Sequence, residues 1–109
     1  IFPPTNTSAS AGSSSFTLSW SANSESDRTG YKLYWDADSG HPYANVQDVG
    51  NVTSKTISGL SSGTTYYVTV TAYDSTYSSG NDNSSTIINE NQTAGNESWY
   101  AEEKTVVSN

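Results

Sequence analysis

The sequence predicts an all-β domain in which seven short strands form two packed sheets. The clearest strand begins at Thr65, where side chains suited to burial alternate with side chains suited to water. The first set is Tyr66, Val68, Val70 and Ala72, and the second is Tyr67, Thr69, Thr71 and Tyr73. Only 14% of the residues are charged, and polarity comes from Ser, Thr, Asn, Gly and Tyr, which suit strands and turns. A length of 109 residues is sufficient for one such domain with a buried core.

The other strands follow from shorter alternations that turn residues separate. The seven predicted ranges are 5–10, 16–20, 30–35, 43–49, 52–57, 65–73 and 99–107. In the third, Tyr31, Leu33 and Trp35 should face the core, whereas Lys32 and Tyr34 should face outward. The last has two registers, in which either Trp99, Ala101, Thr105 and Val107 or Tyr100, Lys104 and Val106 share one face.

A turn motif between the fifth and sixth strands carries a family resemblance. Tyr66 stands six residues after Leu60, where it can bury its ring and return its hydroxyl to the turn backbone. This arrangement is the tyrosine corner of immunoglobulin-like sandwiches. The run Ile-Ser-Gly-Leu-x-x-Gly-Thr-x-Tyr-x-Val-x-Val-x-Ala at 57–72 resembles the E–F segment of a fibronectin type III domain. Gly-Tyr-Lys-Leu-Tyr-Trp at 30–35 and Ala-Gly-Asn-Glu-Ser at 94–98 fit the same family.

The resemblance extends over residues 16–107 and is strongest to modules of secreted and cell-surface bacterial proteins. It implies a seven-stranded immunoglobulin-like (fibronectin type III) β-sandwich over residues 5–109, with residues 1–4 as an apolar N-terminal arm or linker. Trp20 matches the buried tryptophan of the family. Relatives commonly pass from Ala-Tyr-Asp almost directly to Ala-Gly-Asn-Glu-Ser, so residues 75–93 are an insertion that makes a long F–G loop.

The charge balance excludes several classes of partner. The formal net charge is −7, and the only basic residues are Arg28, Lys32, Lys55 and Lys104. Nucleic-acid binding needs a basic stripe that this composition does not supply. The chain contains no cysteine, so disulfides and thiolate metal sites are not expected. No apolar run approaches the length that crosses a membrane, so membrane insertion is not expected either.

An extracellular or cell-surface location is expected from the resemblance. The chain begins at Ile1 without methionine, which is typical of a processed or excised segment. Asparagine-linked glycosylation sequons occur at Asn6, Asn51, Asn83, Asn91 and Asn96. In a chain so rich in Asn and Ser, several of these arise by chance, and they gain meaning in an archaeal or eukaryotic host.

One short motif resembles a calcium loop. Asp36, Asp38 and Gly40 have the Asp-x-Asp-x-Gly spacing with which such loops begin. The distal bidentate acidic ligand is missing, and Asp and Gly are also ordinary turn residues. His41, the single histidine, has no second histidine or cysteine to complete a site. We therefore expect a turn here, with no metal and no cofactor.

Catalysis is not predicted. The chain has no cysteine nucleophile, and its one histidine is isolated from any nucleophile partner. The carboxylate pairs Asp36/Asp38 and Glu102/Glu103 lie on a predicted turn and along a predicted strand, with no cleft implied. A small sandwich fills its own core, so a substrate pocket would have to be built from loops.

The leading hypothesis is a non-catalytic module for adhesion, spacing or protein–protein interaction. Long loops on a rigid sandwich often carry binding. Tyr77, Ile87 and Ile88 in the inserted loop and Trp99 after it are the candidate contacts, because aromatic and apolar anchors dominate binding energy.

Two alternatives remain open from the sequence. A carbohydrate-binding accessory module would use exposed aromatic faces, for which the candidates are Tyr34, Tyr43, Tyr67, Tyr73 and Trp99. A subunit of an extracellular filament would dock Ile1 and Phe2 of one copy beside Ile87 and Ile88 of the next, in a head-to-tail contact. The second alternative expects the arm and the loop near opposite ends of the sandwich. The expected partner is thus a protein surface, a polysaccharide surface or another copy of the chain.

Overall fold

The computed structural model describes residues 4–23, 28–40, 43–74, 98 and 100–109. Within these ranges the chain forms seven strands. They are β1 (Thr5–Gly12), β2 (Ser15–Ser21), β3 (Arg28–Asp36), β4 (Asn45–Gly50), β5 (Ser54–Ser58), β6 (Thr65–Asp74) and β7 (Lys104–Val107). Each predicted strand is present, with ends that differ by a few residues. The described part of the chain has no helix, and therefore none that could cross a membrane.

The strands form two antiparallel sheets. One has three strands in the order β1-β2-β5, and the other has four in the order β4-β3-β6-β7. The predicted seven-stranded sandwich is therefore confirmed. Pairing between β3 and β6 is the longest ladder, running from Arg28 opposite Asp74 to Asp36 opposite Tyr67.

The core lies between the sheets and includes the residues of β6 that the sequence predicts to be buried. Its members are Phe16, Leu18, Trp20, Tyr31, Leu33, Ile57, Tyr66, Val68, Val70, Ala72, Ala101 and Val106. The rings of Trp20 and Tyr31 lie 5.4 Å apart, and Phe16 meets Trp35 edge-on at 6.2 Å. Each large apolar side chain buried in this way contributes about 1.5–3 kcal/mol to folding. Trp20, Tyr31 and Leu33 are buried as predicted, and Trp35 is partly buried and packs against the core.

The tyrosine corner forms as its spacing predicts. The Tyr66 ring is buried in the core, and its hydroxyl accepts a hydrogen bond of 3.0 Å from the Ser61 backbone N–H. Gly59 and Gly63 flank this turn, each with a φ of 76°. That left-handed conformation favours glycine, which explains why both turn positions lack a side chain. The corner connects the two sheets, because β5 precedes it and β6 follows it.

The filament hypothesis expects the N-terminal arm and the inserted segment near opposite ends of the sandwich, and the strand pairing bears on this expectation. Thr5 at the start of β1 pairs with Ser21 at the end of β2. Arg28, which begins β3 after the following connection, pairs with Asp74 at the end of β6. The start of β1 and the departure of the inserted segment therefore lie at the same end. The described residues that flank the arm and the inserted segment thus do not lie at opposite ends as expected, because every strand reverses direction and an odd strand starts where an even strand ends.

The last residues close the opposite end. The Asn109 backbone N–H donates to the Gly12 carbonyl at 3.0 Å, and the Ser14 N–H donates to the Asn109 carbonyl at 2.9 Å. The Thr7 hydroxyl also donates to the Glu102 carbonyl at 3.0 Å, which links the edges of the two sheets. The described chain consequently enters the sandwich at one end and leaves it at the other.

The last strand is shorter than predicted and only one of its registers forms. Val106 is 6% exposed in the core, whereas Val107 is 49% exposed. The register that places Val106 and Lys104 on one face is therefore correct for β7. Before β7 the chain still follows β6, but irregularly, because the Ala101 N–H donates to the Val70 carbonyl at 3.0 Å outside a regular ladder. A shift between Ala101 and Lys104 places both Ala101 and Val106 in the core, which neither predicted register allows.

The outward faces of the two sheets differ in chemistry. On the three-stranded sheet, every outward position of the regular ladder except Gly12 carries a hydroxyl side chain, and we call these residues the hydroxyl face. Its residues are Ser8, Ser10, Ser15, Thr17, Ser19, Ser54, Thr56 and Ser58. On the four-stranded sheet, the outward positions carry tyrosines, threonines and charged groups, and part of that face is covered.

Candidate interaction site

The base of the inserted segment is held by a reciprocal pair of hydrogen bonds. The Ser98 backbone N–H donates to the Ala72 carbonyl at 2.7 Å, and the Ala72 N–H donates to the Ser98 hydroxyl at 3.0 Å. Both residues are completely buried. Shielding from water strengthens such bonds and makes their loss costly. Ala72 and Ser98, which flank the inserted residues in the sequence, are therefore fixed to each other.

A second contact fixes the end of β6 from the outer side of the sheet. The Tyr73 hydroxyl donates to the carboxylate of Asp48 on β4, with 2.8 Å to each oxygen. The Lys32 ammonium lies 5.5 Å from the Tyr73 ring centroid, within cation–π range. Lys32 and Asp48 are also direct cross-strand partners. We call Tyr73, Asp48 and Lys32 the clasp, because together they tie β6 to β3 and β4.

The clasp depends on Gly30 of β3, because the Tyr73 ring lies across this residue. A Cβ at Gly30 would lie 2.7 Å from the Tyr73 hydroxyl oxygen and 3.0 Å from the Gly50 carbonyl carbon. Both distances are closer than side-chain carbons normally approach. Gly30 therefore lets the Tyr73 ring lie across β3 and reach Asp48.

The middle of the same outer face is covered by three tyrosines. Tyr34, Tyr43 and Tyr100 form a small cluster of their own, with Tyr100 5.0 Å from both other rings. Tyr34 is 0% exposed, so the prediction that it faces solvent is wrong. It does point away from the main core, as alternation requires, but Tyr43 and Tyr100 cover it. Tyr34 and Tyr43 therefore offer no exposed face for stacking on a sugar.

Glu103 connects the loop before β4 to the strand segment around β7. Its carboxylate accepts hydrogen bonds from the Tyr43 hydroxyl at 2.6 Å, the Gly40 N–H at 2.7 Å and the Ser39 hydroxyl at 2.7 Å. Burial raises the pKa of this carboxyl, but the hydrogen bonds from Tyr43, Ser39 and Gly40 outweigh it, so the pKa is lowered overall. The ionised carboxylate thus stabilises the loop over the tyrosine cluster.

The calcium hypothesis finds no support in the geometry of its aspartates. One Asp36 carboxylate oxygen accepts from the Ala37 N–H at 2.7 Å, and the other accepts from the Ala44 N–H at 2.9 Å. Asp36 therefore organises the turn, as the ordinary interpretation of the motif expects. Asp38 is exposed. No group of three potential metal-binding side chains occurs among the described residues.

The residues predicted to bind a partner lie outside the part of the chain that the structure describes. These are Ile1, Phe2, Tyr77, Ile87, Ile88 and Trp99. The same holds for His41 and for the sequons at Asn83, Asn91 and Asn96. Of the two described sequons, Asn6 and Asn51 are both exposed, and Asn6 donates to the Ser21 hydroxyl at 2.9 Å.

Sequence reasoning misses the residues that hold the base of the inserted segment and its surroundings. In the sequence, Ser98 stands out only as part of the Ala-Gly-Asn-Glu-Ser run, and Glu103 only as one of two adjacent carboxylates. Their partners are distant along the chain, with Ser98 bonded to Ala72 and Glu103 to Tyr43. No local pattern encodes such pairs. The only signal in the sequence is that Ser98 belongs to a run typical of the family.

Comparison with known proteins agrees with this architecture. The fibronectin type III domain family model matches residues 2–89. A Kelch domain-containing protein of Saccharolobus solfataricus is 47% identical over 74 residues, which cover 67% of this chain and 10% of that protein. The chain thus spans about a tenth of the length of this curated relative.

Two solved structures share the fold. An Fn3-like protein from Clostridium thermocellum superposes with a TM-score of 0.70 at 23% identity, covering 100% of this chain and 96% of the other. The chicken CNTN1 FN1-FN3 domains superpose with a TM-score of 0.67 at 18% identity, covering 96% of this chain and 30% of theirs. At these identities the likeness concerns the fold alone. Domains of this fold are generally non-enzymatic and commonly serve protein–protein interaction. From the family match and the sandwich described above, the chain belongs to the fibronectin type III domain family.

Proposed function

We propose that this chain is a non-catalytic extracellular module that presents the inserted residues 75–93 to a protein partner. The observation that carries the proposal is the fixed base of this segment, where buried Ala72 and Ser98 bond to each other in both directions. A rigid base lowers the entropy that a presented segment loses on binding. Tyr77, Ile87 and Ile88 supply apolar anchors within the segment, and Trp99, which follows it in the sequence, supplies another.

The module would also act as a spacer between neighbouring domains. The described chain enters beside Ser21 and ends beside Gly12, at opposite ends of the sandwich. In a longer protein, such as the relative of which this chain covers 10%, an arrangement of this kind adds length between the domains on either side. An extracellular location is supported by the common use of this family outside cells and by the exposed sequons at Asn6 and Asn51.

The test measures whether the immobilised module binds proteins from the cell-surface fraction of the source organism. It compares two multiply substituted variants with the parent chain. The first variant replaces Tyr77, Ile87, Ile88 and Trp99 with serine. The control replaces Val46, Val52 and Val107 with serine, since these described apolar side chains are 40%, 41% and 49% exposed and lie outside the segment. Binding is measured by biolayer interferometry on the immobilised module, after unfolding midpoints show that both variants fold.

We expect the first variant to lose binding by at least tenfold and the control to bind like the parent chain. Equal binding by the first variant and the parent would show that these four side chains do not bind the partner, which would contradict the proposal. Equal losses in both variants would indicate non-specific apolar adsorption and would also count against the proposal.

The filament alternative is not proposed, because it expects opposite ends and the described flanking residues, Thr5 and Asp74, lie at the same end of the sandwich. The carbohydrate alternative based on tyrosine stacking is weakened by the burial of Tyr34 and Tyr43.

A further inference from the structure

The hydroxyl face is a regular two-dimensional array. Pairing of β1, β2 and β5 places its residues in rows that cross the sheet. One row is Ser10, Thr17 and Thr56, and the next is Ser8, Ser19 and Ser54. The third contains Ser15 and Ser58, with Gly12 at its β1 position. The irregularity in β1 lies between Thr5 and Ser8, beyond these rows, so pairing within the array is continuous. Neighbouring strands lie about 4.8 Å apart and alternate residues about 6.7 Å apart, so the hydroxyls repeat in both directions.

Much of the hydrogen-bonding capacity of the array is available. Thr17 and Thr56 hydroxyls bond to each other at 2.8 Å, and such a contact uses only one proton. The hydroxyls of Ser10, Ser54 and Ser58 make no hydrogen bond within the described part of the chain. Each of these three side chains is exposed. Each hydroxyl can therefore donate one hydrogen bond and accept two from a ligand.

The array is uncharged, although the chain as a whole carries a formal charge of −7. None of its eight positions is ionisable. The nearest cation in the sheet, Lys55, is paired with buried Leu18 and therefore belongs to the other side of β5. Aromatic and aliphatic side chains are also missing from the array, so it lacks the apolar centre that protein interfaces use.

We infer that the hydroxyl face binds an ordered, neutral polysaccharide surface. Three properties of the array specify this ligand. Its lack of charge fits a neutral polymer, its hydroxyls complement sugar hydroxyls, and its repeat fits a polymer whose hydroxyls also repeat. Neutral hydrogen bonds exchange with water at little net gain, so many must form together. The ligand is therefore an insoluble, regularly packed glycan rather than a short soluble sugar.

This inference is independent of the proposed protein partner, because β1, β2 and β5 form a different sheet from the strands that flank the inserted segment. It also uses none of the tyrosines in the carbohydrate hypothesis drawn from the sequence. Binding by this face would place the module on a glycan surface while the inserted residues 75–93 remain available for the proposed protein partner.

The experiment measures depletion of the chain from solution by microcrystalline cellulose and by chitin powder. Thr17→Lys places a charge at the centre of the array, and Ser10→Lys places one on the exposed neighbouring strand. Thr105→Lys is the matched control, because Thr105 is exposed on β7 of the other sheet and the charge change is the same. Unfolding midpoints identify which variants fold. If Thr17→Lys does not fold, Ser10→Lys tests the array by itself.

We expect the parent chain and Thr105→Lys to be retained on at least one of the two solids. The array variants should partition to that solid at least tenfold less, and soluble cello- and chito-oligosaccharides should not compete. Failure of the parent chain to bind either solid would overturn the inference. Retention of the folded array variants at the parent level, or an equal loss in Thr105→Lys, would overturn it as well.

Discussion

Substitution of Glu103 tests which interactions hold the loop before β4 over the tyrosine cluster on the outer face of the four-stranded sheet. Its carboxylate accepts three hydrogen bonds, from Ser39, Gly40 and Tyr43. Bonds to a charged group contribute about 1.5–3 kcal/mol each, but bonds that share one acceptor are not additive. Glu103→Gln keeps one acceptor oxygen and loses the charge, so we expect it to reduce the free energy of unfolding by about 1–2 kcal/mol. Glu103→Ala removes all three bonds, and we expect a loss of about 2–4 kcal/mol.

The effect of Glu103→Gln should depend on pH in a defined direction. The pKa of Glu103 is lowered from 4.5 in the folded chain. A carboxyl with a lowered folded pKa contributes stability that is present above its unfolded pKa and is lost as pH falls through its folded pKa. The parent chain should therefore exceed Glu103→Gln in stability at about pH 7, and the charge-dependent part of that difference should disappear by about pH 2.

Urea unfolding followed by tryptophan fluorescence measures both quantities. Glu102→Gln is the control, because the Glu102 side chain is 77% exposed and pairs only with neighbouring Lys104 among the described ion pairs. We expect that control to change stability by less than about 0.5 kcal/mol at either pH. A difference between the parent and Glu103→Gln that stays the same at both pH values would refute the assigned role of the charge. So would a loss no larger than that of the control.

Three further substitutions test the base of the inserted segment and the turn. Gly30→Ala should cost about 1–3 kcal/mol in urea unfolding, because the new methyl group displaces the Tyr73 ring; unchanged stability would mean that the ring has room to move. Ser98→Ala should cost about 1–3 kcal/mol and speed hydrogen exchange at the Ala72 amide, which loses its acceptor; unchanged protection of that amide would contradict the bond. Tyr66→Phe should cost about 1 kcal/mol in thermal unfolding, and no loss would show that the corner hydroxyl is dispensable.

The base of the inserted segment has a consequence for how the module would evolve or be engineered. Because Ala72 and Ser98 are both buried and bonded to each other, changes within residues 75–93 need not alter this contact. Loops on such a framework tolerate insertions at a modest entropic cost. The segment can therefore change its sequence while its ends keep the same separation.

The local sequence was sufficient to predict the sandwich and its core. Alternation along β6, the glycines around the turn and the position of Tyr66 are short-range patterns, and each has few structural solutions. For that reason the corner bond to Ser61 formed where its spacing predicted. The resemblance to one family then defined the order in which the strands are connected.

Pairings between distant residues were decided only by the tertiary structure. Alternation placed Tyr34 on the outward face, but the approach of Tyr100, 66 residues later in the numbering, is what buries it. The acceptor role of Glu103 and the closure of Ala72 on Ser98 likewise join segments that no local pattern connects. The register of the last strand could not be predicted for the same reason, because its pairing with β6 determines which of its two faces is buried. Side-chain period determines which residues share a face, whereas packing of separate segments determines which face is covered.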